Sequence, residues 1–133
     1  MTALLAACSS SGGSGARAPN STTPRAVAVS EPANGSTVGL RVGQELEVTL
    51  HSTYWELAPP GNARVLRVST PPTSETGAHC TSIPGTGCGT VTATYVARAA
   101  GHALVDAHRT TCGEARRCTG SEGHWRISVR VTQ

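Results

Sequence analysis

From Trp125 to Thr132 the chain alternates without a break: Trp125, Ile127, Val129 and Val131 share one parity, Arg126, Ser128, Arg130 and Thr132 the other. Successive side chains on a β-strand point to opposite faces, so this segment buries one face and wets the other. A helix, with its 3.6-residue repeat, cannot segregate the same residues. The pattern recurs upstream: Val27 and Val29; Val38, Leu40 and Val42; Leu46, Val48 and Leu50; Val65 to Ser69; Val91, Ala93, Tyr95 and Ala97; Ala103, Val105 and Ala107.

Turn-forming residues separate these segments. Glu31-Pro32-Ala33-Asn34-Gly35 ends the first, Gly43-Gln44 follows the second, and Pro59-Pro60-Gly61-Asn62 precedes the fourth. Pro71-Pro72 opens what reads as a long loop to Cys88, and a second long loop runs from Cys112 to Gly123. Seven to eight short strands with no helical period predict an all-β, immunoglobulin-like antiparallel sandwich over residues 25–133. Trp55 falls where such sandwiches bury a core tryptophan, and both tryptophans and both tyrosines read first as core. In this topology the connections 51–62, 70–89 and 109–124 should gather at one end.

A domain of about 100 residues has a thin stability margin, so covalent staples help. Cys80, Cys88, Cys112 and Cys118 form an even set with three open connectivities. Local pairing, Cys80–Cys88 and Cys112–Cys118, is favoured because each pair brackets one loop and Pro84-Gly85-Thr86-Gly87 eases a small ring. Cross-pairing such as Cys80–Cys112 would tie the two loops together. Structural zinc, with His79 and His124 nearby, is disfavoured because the cysteine spacings are wider than the tight ones zinc sites use. No metal or other cofactor is expected.

The fifth cysteine stands apart. Leu5-Ala6-Ala7-Cys8 followed by Ser9 to Gly15 resembles the lipobox of bacterial lipoproteins, which implies lipidation at Cys8 and a chain held to the outer face of the cell membrane. Residues 1–8 then form a truncated signal segment and residues 9–24 a disordered Ser/Gly/Pro-rich tether. The seven residues before Cys8 contain no basic residue, so the export signal is expected to begin upstream. Diacyl anchoring is stable where a single chain is marginal.

All eleven basic residues are arginine, which reads as the codon bias of a high-GC bacterium. They are scattered apart from Arg116-Arg117 and the net charge is only +3, which argues against nucleic-acid binding. Asp106 and His108 share a strand face, but no nucleophile motif accompanies them and no paired carboxylates occur, so an enzyme is not expected. Stapled loops suit recognition because pre-ordering lowers the entropic cost of binding. Arg116 and Arg117, projecting from the second finger, would suit an acidic ligand.

The run Val42-Gly43-Gln44-Glu45-Leu46-Glu47-Val48-Thr49-Leu50 with Tyr54-Trp55 resembles the start of chagasin-type inhibitors of papain-like cysteine proteases. Gly87-Cys88-Gly89-Thr90, and Ala100-Gly101-His102-Ala103 leading to Arg109, extend the resemblance over roughly residues 36–132. It implies three loops that enter a protease cleft, around Tyr54, around Gly87 and Gly89, and around Arg109. The inhibitory motifs differ here: His51-Ser52-Thr53 replaces Asn-Pro-Thr-Thr-Gly, Thr90 replaces the last glycine of Gly-x-Gly-Gly, and Thr110-Thr111 follow Arg109 where the family has Pro-Trp or Pro-Phe. The primary expectation is a membrane-anchored lipoprotein presenting a binding module for an unknown protein or cell-envelope ligand. The alternatives are a chagasin-like protease inhibitor and a structural accessory domain of the envelope.

Overall fold

The computed structural model describes residues 25–80 and 85–133. Two four-stranded sheets face one another. One has the order β1 (Val27–Val29), β3 (Glu45–His51), β6 (Thr90–Ala97) and β5 (Leu66–Glu75); the other has β2 (Thr37–Arg41), β10 (His124–Thr132), β7 (Gly101–His108) and β4 (Glu56–Leu57). They are called the first and second sheets below. A separate two-strand hairpin, β8 (Thr111–Gly113) and β9 (Arg116–Arg117), lies within the β7–β10 connection.

The alternation fixes the register. On β10 every odd residue from Trp125 to Val131 is buried, and β6 buries Val91, Ala93, Tyr95 and Ala97. With Leu46, Val48, Leu50, Val105 and Trp55 they form one core between the sheets. A one-residue slip of β10 would expose Trp125 and bury Arg126, so the register is strongly specified. The Trp125 indole N–H donates to the Ser30 carbonyl at 3.1 Å, which satisfies the polar atom of a fully buried side chain.

Most ladders are antiparallel, but β1 pairs with β3 and β2 with β10 in parallel. Parallel neighbours cannot be joined by a tight hairpin. Here the chain leaves β1 in the first sheet, makes a single 3-10 turn at Glu31–Ala33, and enters β2 in the second.

Three sequence expectations change. Pro71 and Pro72 do not open a loop; they lie inside β5, which pairs with β6 as far as Glu75 opposite Thr90. β5 is an edge strand, and the register shifts between Thr70 and Thr73, so the missing proline N–H groups cost no ladder bond. Val42 is not a strand residue but sits exposed in the β2–β3 turn. The segment 112–123 is not a plain loop: it holds most of β8, all of β9 and a 3-10 turn at Gly120–Gly123.

Both local disulfides form, Cys80–Cys88 and Cys112–Cys118, with Cα separations of 5.6 and 4.9 Å. The cross-paired alternative is excluded. Residues 1–24, with the expected signal segment, tether and Cys8 anchor, lie outside the described residues.

Candidate functional site

Strand directions send three connections to one end of the sandwich. β3 finishes there at His51, β5 at Glu75 and β7 at His108, while β6 and β10 begin there at Thr90 and His124. The first loop, 52–55, joins β3 to β4. The second, 76–89, joins β5 to β6, and the third, 109–123, joins β7 to β10. Two parts of the expected loop set lie elsewhere. Residues 58–62 descend along the edge of β7, where the Ala58 and Gly61 N–H groups donate to the Asp106 and Leu104 carbonyls, and residues 70–75 belong to β5.

The first and second loops interlock. The Thr53 N–H donates to the Gly87 carbonyl at 2.8 Å. A Cβ on Gly87 would lie 2.5 Å from Cδ2 and Cε2 of Tyr54 and 3.0 Å from the Ser52 hydroxyl, so only glycine lets the ring close over this backbone. Gly87 is also left-handed, at φ +66°. Gly89, at φ +136°, brings the backbone under the Glu75 carbonyl where no side chain would fit. Ser52 is buried and accepts the Tyr54 N–H at its Oγ at 3.1 Å, bridging the turn from within.

The third loop locks onto the first through Arg109. Its guanidinium lies over the Trp55 ring, 4.4 Å from the centroid, and its Nε donates to the Glu122 carbonyl at 3.1 Å. Cation–π contact of this kind contributes about 0.5–2 kcal/mol. The Arg109 N–H reaches the Gly123 carbonyl, and a Cβ on Gly123 would collide with the Arg109 carbonyl. At the tip the three loops meet, since the Gly85 Cβ position lies 3.9 Å from the Tyr54 hydroxyl and 4.0 Å from Cγ of Glu114.

The stapled finger uses one of its two arginines internally. Arg116 pairs with Glu122 at 2.9 Å and donates to the Cys112 carbonyl, bracing the hairpin. Arg117 is exposed and in no ion pair among the described residues. Ala115, at φ +51°, takes the left-handed position of the β8–β9 turn.

Beside the third loop a cavity of about 190 Å³ is lined by Glu31, Trp55, Arg109, Glu122, His124 and Trp125, among others. The Trp55 Nε1 is buried without a hydrogen-bond partner. Glu31, on the same rim, accepts from the backbone N–H and, at 2.8 Å, the Nδ1 of His51. Burial pushes its pKa up, but these hydrogen bonds outweigh that and hold it below the ordinary carboxylate value.

Of the residues singled out from the sequence, Tyr54, Gly87, Gly89 and Arg109 come together at this end, and Arg116 and Arg117 stand on the finger beside them. Gly87 and Gly89 serve the close approach of backbone and ring. Sequence reasoning missed Ser52, Glu122 and Gly123, since their roles come from contacts no local pattern encodes. Asp106 and His108 are engaged elsewhere, Asp106 with Arg126 and His108 with Glu56 at 3.1 Å. The arrangement offers a surface of interlocked loops.

The architecture is thus a β-sandwich with three interlocked loops at one end. Among solved structures it is similar to the crystal structure of a cysteine protease inhibitor from Entamoeba histolytica, with a TM-score of 0.57 and 8% identity over 81% of this chain and 96% of that one. The solution structure of amebosin matches with a TM-score of 0.56 and 15% identity, over 82% and 99% of the two chains. At such identities the likeness establishes the fold. No family model matches the chain, and no curated protein matches its sequence.

Proposed function

We propose that the domain inhibits papain-like cysteine proteases with its three-loop end, presented at the outer face of the cell membrane by a lipid on Cys8. One observation carries the reading: the loops corresponding to those a chagasin-type inhibitor inserts into its target are fused here into a single surface by the Thr53–Gly87 hydrogen bond, the Tyr54–Gly87 contact and the Arg109–Trp55 stack. Such a surface is pre-ordered, so docking costs little additional loop entropy. It would fill a cleft as a blunt wedge, with Tyr54 and Glu114 at the tip and Arg117 on the flank of the hairpin.

The differences from the family's motifs define what is distinctive. Two disulfides take over the ordering of the second and third loops, so the backbone shape is kept by covalent means while the contacting side chains differ. One of the fold neighbours is itself a cysteine protease inhibitor, which supports a binding role.

The test is steady-state kinetics of several papain-like proteases with the purified protein. Reversible inhibition at micromolar concentration or below is expected, weakened at least about tenfold by Tyr54→Ala or Arg117→Glu, the loss of roughly one good contact. No inhibition of any of them at high micromolar concentration would retire the proposal. Anchoring is tested separately: the chain with its upstream signal should partition into detergent, and Cys8→Ser should release it or leave it unprocessed.

A further inference from the structure

The pole opposite the loops has a composition of its own. β2 ends there at Arg41, β3 begins at Glu45, β5 begins at Leu66, β6 ends at Ala97 and β7 begins at Gly101. Backbone contacts tie these ends together: the Gly43 N–H donates to the Ala97 carbonyl, the Arg98 N–H to the Val65 carbonyl, and the Gln44 N–H to the Arg41 carbonyl. Arg25 joins them, because the Gln44 side-chain amide donates to its carbonyl at 2.8 Å.

Four arginines, Arg25, Arg41, Arg64 and Arg98, therefore share this pole. All four are exposed, and none is in an ion pair among the described residues. The pole's acidic side chain is Glu45. By contrast Glu31, Glu56, Glu75, Glu114 and Glu122 lie at or beside the loop end, most of them on positions fixed by pairing to His51, His108, Thr90 and Arg116. Arg109, Arg116 and Arg117 offset part of this acidity, so the excess of positive charge lies at the pole opposite the loops. At the tip of the β2–β3 turn, among the arginines, stands Val42, one of only two large apolar side chains left exposed among the described residues.

The chain enters the domain at this same pole. Residues 1–24, with Cys8, precede Arg25, so whatever tethers the protein leaves from the arginine cluster and not from the loops. We propose that this pole is a second membrane contact, docking on the headgroups of an anionic phospholipid bilayer. It takes its setting from the anchoring reading above, and neither depends on protease inhibition. The guanidinium groups meet phosphate by charge-assisted hydrogen bonds, and Val42 enters the headgroup layer. Anionic surfaces attract each nearby basic residue by an amount equal to about a fivefold factor in partitioning, so four together matter. Docked in this way the domain stands upright. The seven residues of β3 place the loop end about 20 Å further from the surface than Arg41, pointing outward.

The experiment separates this contact from the lipid. The full chain carrying Cys8→Ser, which cannot be lipidated, is mixed with vesicles of phosphatidylglycerol and phosphatidylcholine or of phosphatidylcholine alone, and the bound fraction is read by sedimentation at low and high salt. Binding to the anionic vesicles is expected, weakened by salt. Arg41→Gln, Arg64→Gln and Arg98→Gln together should lower it roughly 100-fold, three such factors combined, while Arg117→Gln at the other pole should change it by less than about twofold. The triple variant should keep the cooperative unfolding transition of the unsubstituted chain in vesicle-free solution, which shows that it is folded. Equal binding to both vesicle types, or an equal loss from Arg117→Gln, would overturn the proposal. Failure of Cys8 lipidation in cells would leave the vesicle result untouched and would sink the anchoring reading alone.

Discussion

Replacing Gly87 with alanine tests the interlock of the first two loops, and the structure gives the size of the effect. An alanine at φ +66° costs about 1 kcal/mol from its left-handed backbone alone. Its Cβ would also stand 2.5 Å from two ring carbons of Tyr54, where carbon atoms normally keep about 3.5–4.0 Å. The ring must retreat by more than an ångström, an overpacking penalty of about 1–3 kcal/mol. Gly87→Ala should therefore destabilise the wild-type domain by about 2–4 kcal/mol, but a Tyr54→Ala background by little more than the backbone cost. The assay is a double-mutant cycle in guanidinium chloride under oxidising conditions, followed by fluorescence of the buried Trp125. A coupling energy of about 1–3 kcal/mol is expected. Effects that add to within about 0.5 kcal/mol would refute the idea that the Tyr54 ring fixes the residue at position 87.

Removing either bridge, by Cys80→Ser with Cys88→Ser or Cys112→Ser with Cys118→Ser, should cost about 2–2.5 kcal/mol in the chain-entropy model, with hydrogen exchange rising in one loop while β10 stays protected. Burial pushes the Tyr95 phenol up to about 12. Since its folded pKa is raised above the unfolded value, the associated stability is complete below about pH 10, the ordinary phenol value, and is lost as pH rises through about 12. Absorbance titration should show Tyr95 ionising together with alkaline unfolding. Glu31 runs the other way: its pKa is lowered, so its contribution is present above the ordinary carboxylate value and fades as pH falls through the lowered one. His51→Ala should move the Glu31 titration upward by NMR, and an unchanged titration would break the assigned pairing.

Much of the sandwich was legible because burial on one face leaves a period of two. β10, β6 and β3 could be placed to within a residue or two from parity alone, and the local disulfides followed from the loops they bracket. What escaped was chemistry set by neighbours. Pro71-Pro72 reads as a break, yet an edge strand with a bulge leaves proline's missing N–H unopposed. The three-residue β8 and two-residue β9 are too short for any period to show. Arg116 looked like a free cation until Glu122, six residues on, was found to hold it. Trp55 and Arg109 lie far apart in the sequence and meet only because β4 and β7 are neighbours.

The parallel pairing of β2 with β10 has a consequence for how the chain must mature. β10 is an inner strand of its sheet, flanked by β2 and β7, and it follows all the other strands in chain order, with Val38 registered against Val129. A polypeptide emerging amino-terminus first, from a ribosome or a translocation pore, holds β1 to β7 outside while the strand that joins β2 to β7 is still inside. Closure of the sandwich thus waits until β10 has emerged, and contacts of such long sequence separation form slowly. Until then the chain stays threadable, and the cysteines of both fingers can meet their oxidant before the core shuts around Trp125.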